Sequence, residues 1–357
     1  MKRSVALLSS AVLAVSLLTG CGSAAEKDSA AKPADQTQQP ANNGEQASQS
    51  DDVLDQFKKL TLPYSVDPKT AIVEYQGGEL TAQEFETFLR VINFLNPMQG
   101  AMIESADQES LKIFAREYTA TKILASRADA AIEKESQELA EKTFENLKGQ
   151  YLGLLGKDES KFAKLMEKEA IDKDTVVKQM ALINNSMAVL RKGIDDAKLK
   201  KEYEGLDKES ITVASVRHIL VSFEKHNNNQ EEALKVANDL LARLKKGEDF
   251  AKLAKENTDD PGSQETGGLY ENADVSQWVP EFKEAALKLP LNQISDPVKT
   301  SYGYHIMKVE RRKERTFEEM KPELQNKMLE QEYDKFNKEE LDKLITKYNI
   351  PQPKPAS

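Results

Sequence analysis

The spacing of apolar positions changes along the chain and divides it into helical and mixed regions. A short strand, Ala71 to Tyr75, and a turn at Gln76-Gly77-Gly78 come first. Thr81-Ala82-Gln83-Glu84 then has the residues of a capping box, which predicts a helix that ends near Asn96-Pro97. Beyond Asp107, apolar residues recur at helical spacing and predict further helices, including segments at about 136–155, 159–169, 172–192 and 195–206.

Between residues 211 and 312 the pattern changes to short strands, loops and shorter helices. The strand at 215–221 alternates, so that Val216, His218 and Leu220 share one face and the intervening residues share the other. Two helices follow near 230–246 and 249–254, and Pro280 begins a third. Turns are predicted at Asp259-Asp260-Pro261-Gly262 and at Gly267-Gly268. Two last strands, around 294–299 and 304–311, are joined by a predicted turn at Tyr302-Gly303.

After Thr316 a long apolar stripe predicts one helix that ends near Asn349-Ile350-Pro351. A detached helix would expose this stripe to water, so docking onto the N-terminal helices is the favoured interpretation. The expected fold class is therefore α+β. A mostly helical domain is formed by the N- and C-terminal segments, and the inserted domain is a small antiparallel sheet covered by helices.

The first residues follow an export pattern, with Lys2 and Arg3 before an apolar run from Val5 to Leu18. That run is shorter than the roughly 20 residues that span a bilayer, which favours a signal peptide over a membrane anchor. Cys21, the only cysteine, follows Leu-Thr-Gly as in the lipobox of bacterial lipoproteins. The resemblance implies a lipid on this thiol and attachment to the membrane; an ordinary cleavage site with an incidental cysteine is the alternative.

Composition refines this division of the chain. Residues 22–50 contain no aromatic residue and no Val, Ile or Leu, so we expect a disordered tether. A net charge of −10 and a pI near 5.2 argue against a nucleic-acid partner. No cluster with metal-ligand spacing is present. The predicted regions are a signal peptide at 1–20, a tether at 21–50, a helical domain at 51–208, the inserted domain at 209–313, a C-terminal helix at 314–350 and a disordered tail at 351–357.

The inserted domain resembles the parvulin family of peptidyl-prolyl cis-trans isomerases. The resemblance rests on five segments in order: Val216-Arg217-His218-Ile219-Leu220-Val221, Asp249-Phe250-Ala251-Lys252-Leu253-Ala254, Asp259-Asp260-Pro261-Gly262-Ser263 with Gly267-Gly268, Val279-Pro280-Glu281-Phe282, and Pro297-Val298-Lys299-Thr300 before Gly303-Tyr304-His305-Ile306. With its lipobox and helical surround, the chain looks like the PrsA-type extracytoplasmic foldases of Gram-positive bacteria. The resemblance implies an extracytoplasmic, lipid-anchored protein that isomerises X-Pro bonds in exported proteins without a cofactor. Whether it forms a homodimer is left open.

The resemblance also implies roles for individual residues. His218 and His305 take the positions of the family's paired histidines, Asp260 a position held by Cys or Asp, and Thr300 completes the polar set. Phe282 matches the aromatic residue of the proline pocket, and Trp278 replaces the usual Met. Each has a structural alternative: the histidines as a pair that fixes the fold, Asp260 as a turn residue, and the two aromatic residues as plain core.

One predicted loop, residues 269–276, departs from the family pattern. After Gly267-Gly268 the family continues with Asp-Leu-Gly and an aromatic residue, whereas this chain continues Leu269-Tyr270-Glu271-Asn272. Tyr270 stands where Leu would contact the proline ring. The change could narrow the pocket, alter substrate preference or leave a module that only binds prolyl segments. The alternative function is therefore a non-catalytic holdase; a solute-binding lipoprotein is disfavoured because strands do not alternate with helices across two lobes.

Overall fold

The computed structural model describes residues 57–354, which form two compact units. We call residues 57–194 and 329–354 the helical unit and residues 195–328 the mixed unit. The predicted signal peptide, Cys21 and the tether lie outside the described residues. So do residues 51–56 of the expected helical domain and residues 355–357 of the expected tail. Among the helices described, none combines the length and apolarity needed to cross a bilayer.

The helical unit contains a small sheet and several helices, six of them in its N-terminal part. Its N-terminal part holds β1 (Ala71–Tyr75), β2 (Gly78–Thr81), α1 (Ala82–Leu95), α2 (Met98–Glu104), α3 (Gln108–Ala125), α4 (Ala130–Leu154), α5 (Glu159–Lys168) and α6 (Lys173–Arg191). The predicted capping box is confirmed, since the Thr81 hydroxyl accepts from Glu84 N and the Glu84 carboxylate accepts from Thr81 N. Asp side chains cap α3, α4, α5 and α6, which fixes where each one begins: Asp107, Asp129, Asp158 and Asp172.

The C-terminal segment completes the core of the helical unit. Leu329, Tyr333 and Phe336 are buried against apolar residues of α3 and α6, among them Leu124 and Met187. These three residues belong to α12 (Phe317–Phe336), the helix that follows the inserted sheet in sequence. The expected fold class, a helical domain built from both ends of the chain around an inserted α+β domain, is confirmed.

The last part of the C-terminal helix was predicted wrongly. α12 (Phe317–Phe336) is followed by a π-helical turn at Asn337–Leu341 and by the single turn α13 (Asp342–Leu344). Residues Ile345–Tyr348 are not helical but form β7, antiparallel to β1, with Val73 opposite Tyr348. β-Branched Ile and Thr begin this strand, and its pairing satisfies backbone groups along the free edge of β1.

The mixed unit begins at Asp195, earlier than the inserted domain expected at 209–313. It contains α7 (Asp196–Glu204), α8 (Lys208–Ile211), β3 (Thr212–Ser222), α9 (Gln230–Lys245), α10 (Phe250–Asn257), β4 (Leu269–Asp274), α11 (Pro280–Lys288), β5 (Val298–Lys299), β6 (Gly303–Glu314) and the first part of α12. The sheet is antiparallel in the order β4-β3-β6-β5.

Helices cover both faces of this sheet, as the alternation in β3 predicts. On one face Ile219, Val221 and Ile306 pack with apolar residues of α9 and α10. On the other face Val216, Met307 and Val309 pack with Phe282 and Ala286 of α11. His218 and His305 project from the second face, because side chains two residues apart on a strand point the same way.

The segment after Gly268 was expected to be a loop and is instead the edge strand β4. Its sequence is polar and has no β-branched run, so periodicity gives no strand signal there. The strand forms because the edge of β3 offers backbone partners: Arg217 lies opposite Leu269 and Val216 opposite Tyr270. A two-residue bulge follows, where Asn272 has a positive φ of 47° and its amide donates to the Ser215 hydroxyl at 3.1 Å.

Gly268 is the glycine on which the start of β4 depends. It has a φ of +81°, and a Cβ there would lie 2.1 Å from the backbone oxygen of His218. We expect Gly268→Ala to lower the free energy of unfolding by about 2–5 kcal/mol, since left-handed strain and overpacking add. The measurement is urea unfolding followed by the fluorescence of Trp278, the only tryptophan, which lies in the mixed unit.

Gly247→Ala is the matched control. Gly247 has a similar φ of +91° but nothing within 4 Å of the added Cβ. It should therefore show only the left-handed strain, about 1–2 kcal/mol. Equal losses in the two variants would contradict the close approach of Gly268 to β3.

Candidate functional site

Two buried histidines from adjacent strands form the centre of the site. β3 and β6 pair so that Leu220 lies opposite His305 and His218 opposite Met307. This register makes the histidines diagonal neighbours on one face, with Nδ1 of His218 3.2 Å from Nδ1 of His305. The ring centroids lie 5.4 Å apart and the ring planes differ by 23°. One nitrogen must therefore donate and the other accept.

The loop before β4 brings a carboxylate to His218. Thr258 Oγ1 accepts from Leu220 N at 3.0 Å, and Asp259 Oδ2 accepts from Ser222 N at 2.8 Å. These two bonds hold the loop against β3 and leave Asp260 beside the imidazole. Asp260 Oδ2 then lies 3.0 Å from Nε2 of His218.

The turn between β5 and β6 supplies the partner of the other histidine. Thr300 N donates to Gly303 O at 2.9 Å, which closes the turn that the sequence predicted near Tyr302-Gly303. The Thr300 hydroxyl accepts from Tyr302 N and lies 2.9 Å from Nε2 of His305. We call the connected side chains of Thr300, His305, His218 and Asp260 the polar chain.

One proton arrangement satisfies the polar chain with neutral histidines. The Thr300 hydroxyl donates to Nε2 of His305, Nδ1–H of His305 donates to His218, and Nε2–H of His218 donates to Asp260. Every ring nitrogen of the two histidines then has a hydrogen-bond partner within the polar chain. Neither histidine has a nitrogen left for direct hydrogen bonding to a bound peptide.

The protonation states follow from burial and from these bonds. Burial lowers the pKa of His305 to about 3, so this imidazole is neutral at physiological pH. Burial alone would raise the pKa of Asp260, but hydrogen bonds from His218, Ser263 and Tyr270 hold it well below its usual range. The polar chain therefore ends in a fixed negative charge.

Aromatic side chains surround the polar chain and form the wall of a cleft. The ring of Phe282 meets both imidazoles edge-on, at 5.2 Å from His218 and 5.1 Å from His305. Trp278 packs edge-on against Phe282 at 5.1 Å, and Tyr270 stacks on His218 at 5.5 Å. The cleft has a volume of about 910 Å³ and opens to solvent. The change at Tyr270 thus leaves room for a peptide segment.

The structure brings together every site residue predicted in the inserted domain. His218, His305, Asp260 and Thr300 form the polar chain, and the three aromatic residues Tyr270, Trp278 and Phe282 line the cleft above it. Cys21 lies outside the described residues. In residues 57–354 no three His, Cys, Asp or Glu side chains group as a metal site.

Ser263 is the site residue that sequence reasoning missed. It is fully buried, and its hydroxyl donates to Asp260 Oδ2 at 2.5 Å while lying 3.1 Å from Nε2 of His218. Its position three residues after Asp260, across a Pro-Gly turn, was the available signal. Such a turn returns the chain toward its first residue.

Comparisons with known proteins match this chain to parvulin-type isomerase domains and to foldase proteins. The PPIC-type PPIase domain model matches residues 198–313. Foldase protein PrsA of Geobacillus kaustophilus is 32% identical over 265 residues, which cover 73% of this chain and 78% of that protein. Foldase protein PrsA of Caldanaerobacter subterraneus is 40% identical over 171 residues, 47% of this chain and about half of that protein's length (52%). A crystal structure of peptidylprolyl isomerase (PrsA) from Bacillus cereus aligns with 78% of this chain and 92% of its own, at 24% identity and a TM-score of 0.36.

The neutral state of His305 predicts a pH dependence of stability. Below its ordinary pKa of about 6.5, the unfolded chain binds a proton at this imidazole that the folded chain does not. The free energy of unfolding should therefore fall with acidification from about pH 6.5, by at most about 1.4 kcal/mol per pH unit from this group. Urea unfolding followed by Trp278 fluorescence at pH 7.5 and 5.0 measures this loss.

His305→Asn removes the titrating group and keeps an amide that can donate toward His218. The difference in unfolding free energy between the two pH values should be smaller in this variant than in the wild type. A variant that loses as much stability on acidification as the wild type would contradict a buried neutral His305.

Proposed function

The chain belongs to the PrsA foldase family, and on that premise we propose that its cleft catalyses cis-trans isomerisation of X-Pro bonds in incompletely folded exported proteins. The observation that carries the proposal is an aromatic cleft directly above the polar chain, whose Asp260 end is ionised. A bound prolyl segment would lie with its ring against Phe282, Trp278 and Tyr270. Its amide would then face Asp260 and the histidine pair.

This arrangement suits a reaction that needs no nucleophile or cofactor. Rotation about an X-Pro amide has a barrier of about 18–20 kcal/mol because the planar form is stabilised by resonance between nitrogen and carbonyl. That resonance separates charge, so water stabilises the planar ground state. Transfer of the amide to an apolar wall beside a fixed anion weakens this stabilisation and favours the twisted form.

We assign Asp260 an electrostatic role. It is ionised far below physiological pH, and three donors already engage its Oδ2 atom, so it is poorly placed to exchange a proton with substrate. His218 and His305 hold that carboxylate and each other, with Thr300 at the far end. In this scheme the histidines are positioning residues, which unites the two sequence interpretations of a fold-fixing pair and a catalytic set.

A holding function in the helical unit has separate support. Met98 is 85% exposed and Met102 is 47% exposed on the short helix α2. Flexible methionines on a surface suit contact with many apolar sequences. We propose that this unit holds exported chains while the cleft acts on their prolines.

We also propose that Cys21 is lipidated and anchors the chain on the extracytoplasmic face of the cell membrane. The support is the sequence itself: a short apolar leader, the Leu-Thr-Gly-Cys motif and a polar stretch of about 30 residues behind it.

Asp260→Asn tests the electrostatic role, because it removes the charge and nearly preserves the shape. We expect kcat/KM for X-Pro isomerisation to fall about 100-fold, in line with the loss of one fixed electrostatic contact in an active site. The assay follows tetrapeptides with several residues before proline, using the soluble form that lacks the first 21 residues.

Asp239→Asn is the matched control for this charge change. Asp239 is exposed on α9 of the same unit, away from the cleft. Its activity should equal that of the wild type. A wild type that does not exceed the buffer rate for any peptide would leave only the holdase function; full activity in Asp260→Asn would refute the role of its charge.

For the anchor, Cys21→Ala in the full chain should release the protein into the culture medium, because no thiol remains to carry lipid. Fractionation with metabolic labelling by a fatty acid provides the measurement. Unchanged membrane retention of the variant, or an unlabelled wild type, would contradict lipidation.

A further inference from the structure

Tyr270 makes a contact that its place in the cleft wall does not require. Its hydroxyl donates to Asp260 Oδ2 at 2.8 Å, while its ring stacks on His218 with an interplanar angle of 23°. The side chain therefore touches both members of the pair at the end of the polar chain. An apolar residue at this position could provide the wall but not the hydrogen bond.

The backbone is arranged to let this hydroxyl reach the carboxylate. β4 pairs with β3 so that Tyr270 lies opposite Val216, two residues from His218 on the same strand. The turn that carries Asp260 contains Gly262, and a Cβ added there would lie 2.8 Å from the Tyr270 hydroxyl. Glycine at 262 thus leaves the space that the phenol occupies.

The phenol of Tyr270 stays protonated and can therefore donate a hydrogen bond to Asp260. Burial and the hydrogen bond to Asp260 raise the pKa of Tyr270 to about 12, so it keeps its proton throughout the physiological range. Asp260 Oδ2 also accepts from Ser263 and faces Nε2 of His218. With its Oδ2 atom held from three directions, the carboxylate cannot turn away from the imidazole without breaking these bonds.

We propose that Tyr270 is a positioning residue that locks the Asp260 carboxylate against His218 and so fixes which nitrogen of each histidine carries the proton. This inference rests on the proposed isomerase function. The hydrogen bond to the Asp260 carboxylate keeps the proton of His218 on Nε2. His218 Nδ1 then accepts from Nδ1–H of His305, and the order continues to Thr300.

Tyr270→Phe separates the hydroxyl from the ring. In the full chain we expect kcat to fall about ten-fold, the size of effect expected for one hydrogen bond to a charged group, with KM unchanged because the ring remains. Tyr270→Leu removes ring and hydroxyl together, so it should lower kcat and also raise KM.

Gly262→Ala tests the same contact without altering the phenol. Its Cβ should displace the hydroxyl from Asp260 and reproduce the fall in kcat seen in Tyr270→Phe. Tyr304→Phe is the matched control, because Tyr304 packs on the opposite face of the sheet with Ile219 and Ile306. It should behave as the wild type in every assay.

Nitrogen-15 NMR of labelled histidine provides a readout that does not depend on turnover. The wild type should show a proton on Nε2 of His218 and on Nδ1 of His305. Tyr270→Phe and Gly262→Ala should show a mixture of tautomers. Wild-type kcat with wild-type histidine signals in Tyr270→Phe would overturn the proposal, as would higher activity in Tyr270→Leu than in the wild type. An inactive wild type would refute the isomerase function alone, since the histidine signals still decide the role of Tyr270.

Discussion

The contact between Nδ1 of His218 and Nδ1 of His305 is the constraint on which the site depends. Two imidazoles that face each other at 3.2 Å in a buried position must divide donor and acceptor between them. This forces a defined tautomer on each ring and requires a partner at each outer nitrogen. The loop that carries Asp260 and the turn that carries Thr300 supply those partners, so both connections are tied to the strand pair. Register, loop conformation and protonation therefore depend on one another.

The same constraint limits what the site can do chemically. A histidine pair with every ring nitrogen engaged is poorly suited to shuttle protons or to activate a nucleophile. What it can provide is a rigid floor with one oriented negative charge under an aromatic cleft. Amide rotation is a reaction for which such an environment suffices, because the barrier comes from resonance rather than from a bond that must be broken. The hydrogen bonds hold the charge of Asp260 in one orientation, and the proposed reaction depends on a charge that is oriented before the peptide binds.

Much of the fold was predictable because its signals are local. These signals act within a few residues: the Thr81 capping box, Asp249 at the start of α10, Pro280 at the start of α11 and the alternation of β3. β4 and β7 were missed because each forms by pairing with a strand distant in sequence, and neither carries an apolar alternation. At the site, the paired histidines and Asp260 were found through family resemblance, whereas the contact of Ser263 and the direction of the Tyr270 hydroxyl depend on turn geometry that composition does not reveal.

The proposed function places the isomerisation of a prolyl segment in the cleft above the polar chain. Exchange NMR on a proline-containing peptide with a catalytic amount of the protein records both isomerisation and contact with the cleft in one sample. We expect cis-trans exchange peaks at mixing times below about one second, where the uncatalysed step takes tens of seconds or longer. We also expect peptide-induced shifts of the Trp278 and Phe282 ring signals. Shifts at these rings without exchange peaks, or exchange peaks without any change at them, would contradict the proposed function.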